Sequence, residues 1–207
     1  MTRRRLSGAD RRAQLLDVAR DIVAEGGYPA LTIERVAGGS GVTRTVVYQQ
    51  FTDLAGLTTA LLDRESAIAF AGMSTVDRPD FDTEQLGRGI LAYLHAAPTS
   101  WRIILRPPDG APPEVRQRIE LGRAYARKVA ARPLSLAAGV DIDPDATTVR
   151  VLLSAIEELA RIHLEDPEGH PDDEVLTHLR SLVEWAAKTA GRVGAPDTGT
   201  RRCASDT

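Results

Sequence analysis

The sequence predicts an all-α fold of about nine helices. Apolar residues recur at helical spacing along most of the chain, and no segment alternates convincingly with a two-residue period. Gly, Pro and capping residues punctuate the chain at helix-length intervals. The composition is that of a soluble, core-forming protein: 207 residues, 43% hydrophobic and 27% charged, with a mean hydropathy of -0.20. Aromatics make up only 4%, so aliphatic and Ala contacts must build most of the core. No apolar run approaches the ~20 residues of a membrane span, and no apolar stretch follows Met1-Thr2-Arg3 as a secretory signal would require. The single cysteine, Cys203, allows neither an intrachain disulfide nor a Cys-based zinc site. A cytoplasmic protein without cofactor or membrane partner is expected.

The elements follow in order. Residues 9–25 place Leu15, Val18, Ala19, Ile22 and Val23 on one helical face, and Gly26-Gly27 stops the helix. Thr32 is a good N-cap for a short helix carrying Ile33, Val36 and Ala37. Gly38, Gly39, Ser40 and Gly41 read as a tight turn, and a third short helix runs from Thr43 to near Gln50. Asp53 caps a longer helix with Leu54, Leu57, Leu61, Leu62 and Ile68. After the break at Arg78-Pro79-Asp80, a helix is expected over 83–97, then a short segment around Trp101 and Ile103. A stiff loop spans Pro107 to Pro113. The next helix is read with Val115, Ile119, Tyr125 and Val129 inward, and Arg116, Arg118, Arg123 and Arg127 mostly outward. Asp143-Pro144 reads as N-cap and first turn of a helix to about Leu164. Asp172, Asp173 and Glu174 open the last helix, which ends near Gly191. This divides the chain into a basic arm (1–8), a three-helix unit (9–52), a helical body (53–191) and a disordered tail (192–207).

Motifs for enzyme chemistry fail on inspection. Gly38-Gly39-Ser40-Gly41-Val42 lacks the closing Gly of a nucleophile elbow and no strand precedes it. The third Gly of a dinucleotide loop is Arg44. Asp141, Asp143 and Asp145 open like a calcium loop, but Ala146 and Leu152 replace its Gly and Glu. His95, His163, His170 and His178 show no metal-ligand spacing, so no metal is expected. Glu157 with Arg161 reads as a surface pair one helical turn apart.

Charge points elsewhere. The net charge is -3, but residues 1–64 hold nine Arg against seven Asp and Glu, leaving the remainder acidic. Five of those arginines lie in the first twelve residues, a distribution that suits a polyanion or belongs to a solvated chain end. Two short helices joined by a Gly-containing turn follow the plan of a helix-turn-helix. Thr32 and Thr43 cap helix starts, where free N–H groups suit a phosphate. Arg44 and Thr45 occupy the first turn of the third helix, the part of such a unit that reaches base edges: Arg can grip guanine, and Thr can offer a hydroxyl or a methyl. Tyr48, one turn on, can bond a phosphate; Gln49 and Gln50 complete the candidate DNA-facing set. Val42, Val46, Val47 and Phe51 seat the helix on its neighbours.

The stretch from Arg12 to Leu57 resembles the N-terminal DNA-binding domain of the TetR family of bacterial regulators. The resemblance rests on Leu15-Leu16, Val18-Ala19, Ile22-Val23, Gly27-Tyr28, Leu31-Thr32, Val36-Ala37, Gly41-Val42-Thr43, Val47-Tyr48 and Phe51. It implies a homodimer with a recognition helix over Thr43 to Gln50 and a ligand pocket in the C-terminal helices. Two positions depart from the family pattern: Gln50 replaces a frequent His, and Leu54 a common Lys, which weakens two backbone contacts. Arg3 to Arg5 either compensate along the DNA backbone or minor groove, or form an arm without DNA contact.

The C-terminal half is similar to the family in helix number and length only. By that resemblance the last two long helices form an intersubunit four-helix bundle, with Leu152, Ile156, Leu159, Leu179, Leu182 and Val183 at the interface. Tyr93, His95, Trp101, Arg102, Tyr125 and His163 are the pocket candidates. The expected function is a sequence-specific regulator, a repressor released from a palindromic operator by a largely hydrophobic small molecule. Control by a protein partner without an inducer, or an all-α enzyme, are the competing readings.

Overall fold

The computed structural model describes residues 6–71, 83–106, 109, 111 and 113–193. Among these residues the regular elements are all helical: α1 (Gly8–Gly26), a 3-10 turn (Tyr28–Ala30), α2 (Ile33–Ser40), α3 (Arg44–Phe51), α4 (Leu54–Phe70), α5 (Thr83–Ala96), α6 (Pro98–Ile104), α7 (Pro113–Ala138), α8 (Thr147–Glu165) and α9 (Asp172–Val193). Local chemistry sets most of the boundaries. The side chains of Ser7, Thr32 and Asp53 accept the amides of Asp10, Arg35 and Gly56 and so start α1, α2 and α4. The arm at Arg3 to Arg5 and the segment 194–207 lie outside the described residues.

One core joins the N-terminal helices. Leu15, Ala19 and Val23 of α1, Val36 of α2, Val47 and Phe51 of α3, and Leu57 and Leu61 of α4 are buried together. The same cluster takes in Ile103 of α6 and Val115 of α7, so the head is packed onto the body rather than tethered to it. The body has two further cores. Ala131, Leu134, Val149, Leu152 and Ala186 form one, and Leu91, Leu94, Leu164, Val175 and Leu179 the other.

Several local expectations change. Gly38, Gly39 and Ser40 are helical, and only Gly41 makes the turn, with φ 63° and ψ 35°. That left-handed conformation suits Gly, which has no Cβ to clash with the following carbonyl. Asp143 does not cap α8. Its carboxylate accepts the Asp145 amide at 2.8 Å in a local turn, and α8 begins at Thr147. Helix α7 runs through Pro133 to Ala138. On that helix Tyr125 is 63% exposed and Arg127 only 7%, the reverse of the expected faces. The Arg127 guanidinium is held by Glu120 at 3.0 Å and Asp145 at 2.9 Å, which lets it turn inward without an unpaired charge. Arg161 bonds Glu158 and Glu165, while Glu157 lies 3.3 Å from Arg123 instead.

Candidate nucleic-acid interface and effector cavity

Helix α3 divides cleanly into two faces. Val47 and Phe51 are buried, whereas Thr43, Arg44, Thr45, Tyr48 and Gln49 are exposed, so five of the predicted DNA-facing side chains share one solvent face. Gln50 is half-buried at the edge of that face, and Thr32 is half-buried with its hydroxyl accepting the Arg35 amide at 3.1 Å. Thr43 caps α3 through its backbone conformation alone; its side chain makes no capping bond. Arg12 anchors the other end of α3. Its guanidinium donates to the Gln50 carbonyl at 2.6 Å and lies 4.4 Å from the Phe51 ring centroid. In the sequence Arg12 shows only as basic charge, because a link across 38 residues leaves no local signal.

Arg44 has a partner. Its Nη1 donates to Glu34 Oε1 of α2 at 3.0 Å, with both side chains exposed. The Arg44 hydrogen bond holds the Glu34 carboxyl below its ordinary pKa. This pair is solvated and weak, so a stronger anion can displace Glu34.

Polar contacts fasten the head to the body. The buried Tyr28 hydroxyl donates to the Ile103 carbonyl of α6 at 3.0 Å, and burial raises its phenol pKa. Arg106 donates to the Ala24 carbonyl at 3.1 Å. Arg64 of α4 donates to the Leu16 carbonyl at 3.1 Å and to the buried Glu65 carboxylate at 2.8 Å. Ser100 of α6 donates to the same carboxylate at 2.6 Å. Helices α4 and α6 therefore touch both the head and whatever lies behind them.

Behind them lies a cavity of about 260 Å³, lined by residues of α4 to α9. Phe70, Ile90, Trp101, Leu105, Val129 and Ile156 supply much of its apolar wall. Trp101 stands edge-on to Phe70, with ring centroids 5.0 Å apart, and its indole N–H donates to the Tyr93 carbonyl at 2.9 Å. Arg123 and Glu157 bring the polar groups of one wall. Burial pushes the Glu157 carboxyl above its ordinary pKa, against the opposing pull of Arg123.

Of the six pocket candidates, Tyr93, Trp101 and Tyr125 line this cavity. Arg102 does not: it donates to the Leu164 carbonyl through Nε and Nη2. His95 and His163 also lie off the lining and meet each other, with Nε2 atoms 3.0 Å apart. The expected interface set is split as well. Leu152, Leu179 and Val183 are buried within this one chain, and Ile156 faces the cavity. Leu159 and Leu182 remain partly open. A broad apolar stripe on a helix does not say which part faces its own core; here Leu152, Leu179 and Val183 do, while Leu159 and Leu182 lie nearer solvent.

Residues 15–61 match the sequence profile described as bacterial regulatory proteins, tetR family. Solved structures share the fold over nearly the full chain. A transcriptional regulator from Rhodococcus sp. Rha1 superposes with a TM-score of 0.68 at 17% identity, covering 87% of this chain and 97% of that one. A TetR-like transcriptional regulator from Rhodococcus sp. RHA1 gives 0.65 at 20% identity, covering 92% and 100%. A TetR-family transcriptional regulator from Agrobacterium tumefaciens gives 0.64 at 13% identity, covering 86% and 98%. At such identities the structural likeness shows the fold, and the profile match covers the head. The exposed polar face of α3 thus lies in a head, residues 15–61, that matches the bacterial regulatory proteins of the tetR family, on a helical architecture similar to that of solved regulators of that family.

Proposed function

We propose that the chain is a homodimeric, ligand-responsive repressor that leaves its operator when a largely hydrophobic small molecule fills the cavity. The observation that carries this reading is the shared wall. Trp101 and Phe70 line the cavity, and they sit on the two helices that hold the head, α4 through Arg64 on the Leu16 carbonyl and α6 through the Ile103 carbonyl on Tyr28. A ligand that moves α6 against α4 moves α1 with them, and a population with altered head spacing follows. In the operator-bound dimer the two recognition helices stand about 34–36 Å apart. Arg44 leaves Glu34 for a base edge, and Tyr48 and Thr43 meet phosphates. Such a regulator works in the bacterial cytoplasm, where its DNA lies.

The dimer face is assigned to the outer stripes of α8 and α9. Val151 is 46% and Trp185 42% exposed, large apolar groups turned away from the chain's own core. Ala155 and Leu159 follow Val151 at four-residue spacing, and Leu182 lies three residues before Trp185, all partly open. These stripes supply the intersubunit bundle in place of the inner residues.

The test is selection of bound duplexes from a random pool by the purified chain, followed by titration at several salt concentrations. A palindromic consensus, with affinity falling steeply as salt rises, is the expected result. Equal affinity for the selected and a random duplex at physiological salt overturns the sequence-specific reading. Trp185→Arg should yield monomers by sedimentation that keep the helical content of the parent and lose the operator. A dimer surviving both this change and Val151→Arg rejects the assigned face.

A further inference from the structure

His95 closes α5, His163 lies in the last turns of α8, and Asp172 opens α9; 68 residues separate the two histidines. The fold brings their ligand atoms together. His95 Nε2 is 3.0 Å from His163 Nε2 and 3.3 Å from Asp172 Oδ1, and His163 Nε2 is 3.6 Å from that same oxygen. We propose that these three side chains form a binding site for a divalent transition-metal ion of the zinc class, tying α5 to the α8–α9 pair.

Three observations converge. The first is the spacing. A tetrahedral ion with bonds of about 2.0–2.1 Å has ligand-to-ligand edges of ~3.3–3.4 Å, and the observed triangle of 3.0, 3.3 and 3.6 Å brackets that value. The second is the tautomer. His163 Nδ1 lies 2.8 Å from the His170 carbonyl oxygen, which can only accept. Nδ1 therefore carries the proton, and in the neutral ring Nε2 presents a bare lone pair to the other two groups. A backbone carbonyl on the far nitrogen is the usual outer support of a metal-binding imidazole. The third is access. His163 is only 2% exposed, but His95 and Asp172 are about half exposed, so the site has a rigid floor and an open mouth for the ion and a coordinating water. Two imidazoles and a carboxylate are borderline ligands that favour zinc and its neighbours over calcium or magnesium.

The site stands apart from the cavity but next to it. Helix α5 carries Tyr93 and Leu94 to the cavity wall and His95 to the site, and Arg102 of α6 grips the carbonyl of Leu164, the residue after His163. The competing account is a plain hydrogen bond from His95 to His163 that needs no ion.

The experiment uses the full chain without a histidine tag, stripped by chelator and dialysed. Titration with Co²⁺ should give the intense visible absorption of a four-coordinate ion, saturating at one per chain. Zn²⁺ should bleach it at the same stoichiometry and raise the melting temperature. Losing an outer-shell partner costs about 10–100-fold in metal affinity, so loss of a direct ligand should cost at least ~100-fold. His95→Ala and Asp172→Asn, both at exposed positions, should show that loss with unchanged circular dichroism. His178→Ala, which alters a histidine 3.7 Å from Glu174, should bind like the parent. Absence of the Co²⁺ band, or equal Zn²⁺ affinity in parent, His95→Ala and Asp172→Asn, overturns the site and leaves the hydrogen-bonded pair.

Discussion

Head and body display opposite kinds of surface. In the head, α3 buries only Val47 and Phe51 and turns Arg44, Thr45, Tyr48 and Gln49 to solvent. In the body, α4 to α9 turn apolar groups toward a cavity of about 260 Å³. The head's candidate DNA face comes almost entirely from one helix and the residue before it. The body's candidate effector site is gathered from six helices. DNA is met on a convex face that one helix can present, whereas enclosing an apolar molecule requires walls on several sides. A gap in packing is the cost of the second kind of site, and stability should differ between the regions accordingly.

The largest contrast is in core packing. Leu57 is fully buried at the junction of α1, α3 and α4, so Leu57→Ala should destabilise the chain by about 2–5 kcal/mol. Ile156 borders the cavity and already lacks neighbours on that side, so Ile156→Ala should cost about half of that or less. Urea denaturation of both variants measures the difference, and equal losses would erase the distinction between a filled head and a hollow body.

Next in size is DNA affinity. Arg44→Ala should weaken operator binding by about 1–3 kcal/mol and relax preference at one base pair per half-site. Its folding stability should stay within about 0.5 kcal/mol of the parent, since Arg44 is exposed. Tyr48→Phe should weaken all duplexes similarly. Fluorescence anisotropy on matched and mismatched duplexes separates the two effects.

Smaller again is the turn between α2 and α3. Gly41→Ala forces a Cβ into the left-handed region and should cost about 1–2 kcal/mol, read as a lower urea midpoint with unchanged slope. A neutral effect would mean that the turn relaxes away from the observed φ.

The smallest effect is electrostatic. Glu34 has a depressed pKa in the folded chain, with the Arg44 hydrogen bond as the leading cause. Its contribution to stability is therefore present above the unfolded carboxylate value and is lost as pH falls through the lower, folded one. NMR titration of the Glu34 carboxyl should show the depression, and Arg44→Ala should return it toward its ordinary value. No change on removing Arg44 would mean that Glu34 leaves α3 free already.

The head was legible because its signals are local. Thr32 and Asp53 cap their helices through bonds three residues long, and Val47 and Phe51 repeat at one-turn spacing. Expectation and structure diverge where a longer range decides. Asp143 looked like a cap but closes its own turn on Asp145, and the broad stripes of α8 and α9 concealed which edge faces inward.

The sequence by itself determined the all-helical architecture, the helix-turn-helix and the polar face of α3, because periodicity, caps and one left-handed glycine act within a few residues. Only the tertiary structure decided what the body's side chains do. It sent Leu179 and Val183 inward, turned Arg127 to Glu120 and Asp145, separated His95 and His163 from the cavity that Trp101 lines, and brought them to Asp172. Those placements depend on how helices far apart in the chain cross one another, and the register of such a crossing is set by packing over the whole interface rather than by any short run of residues.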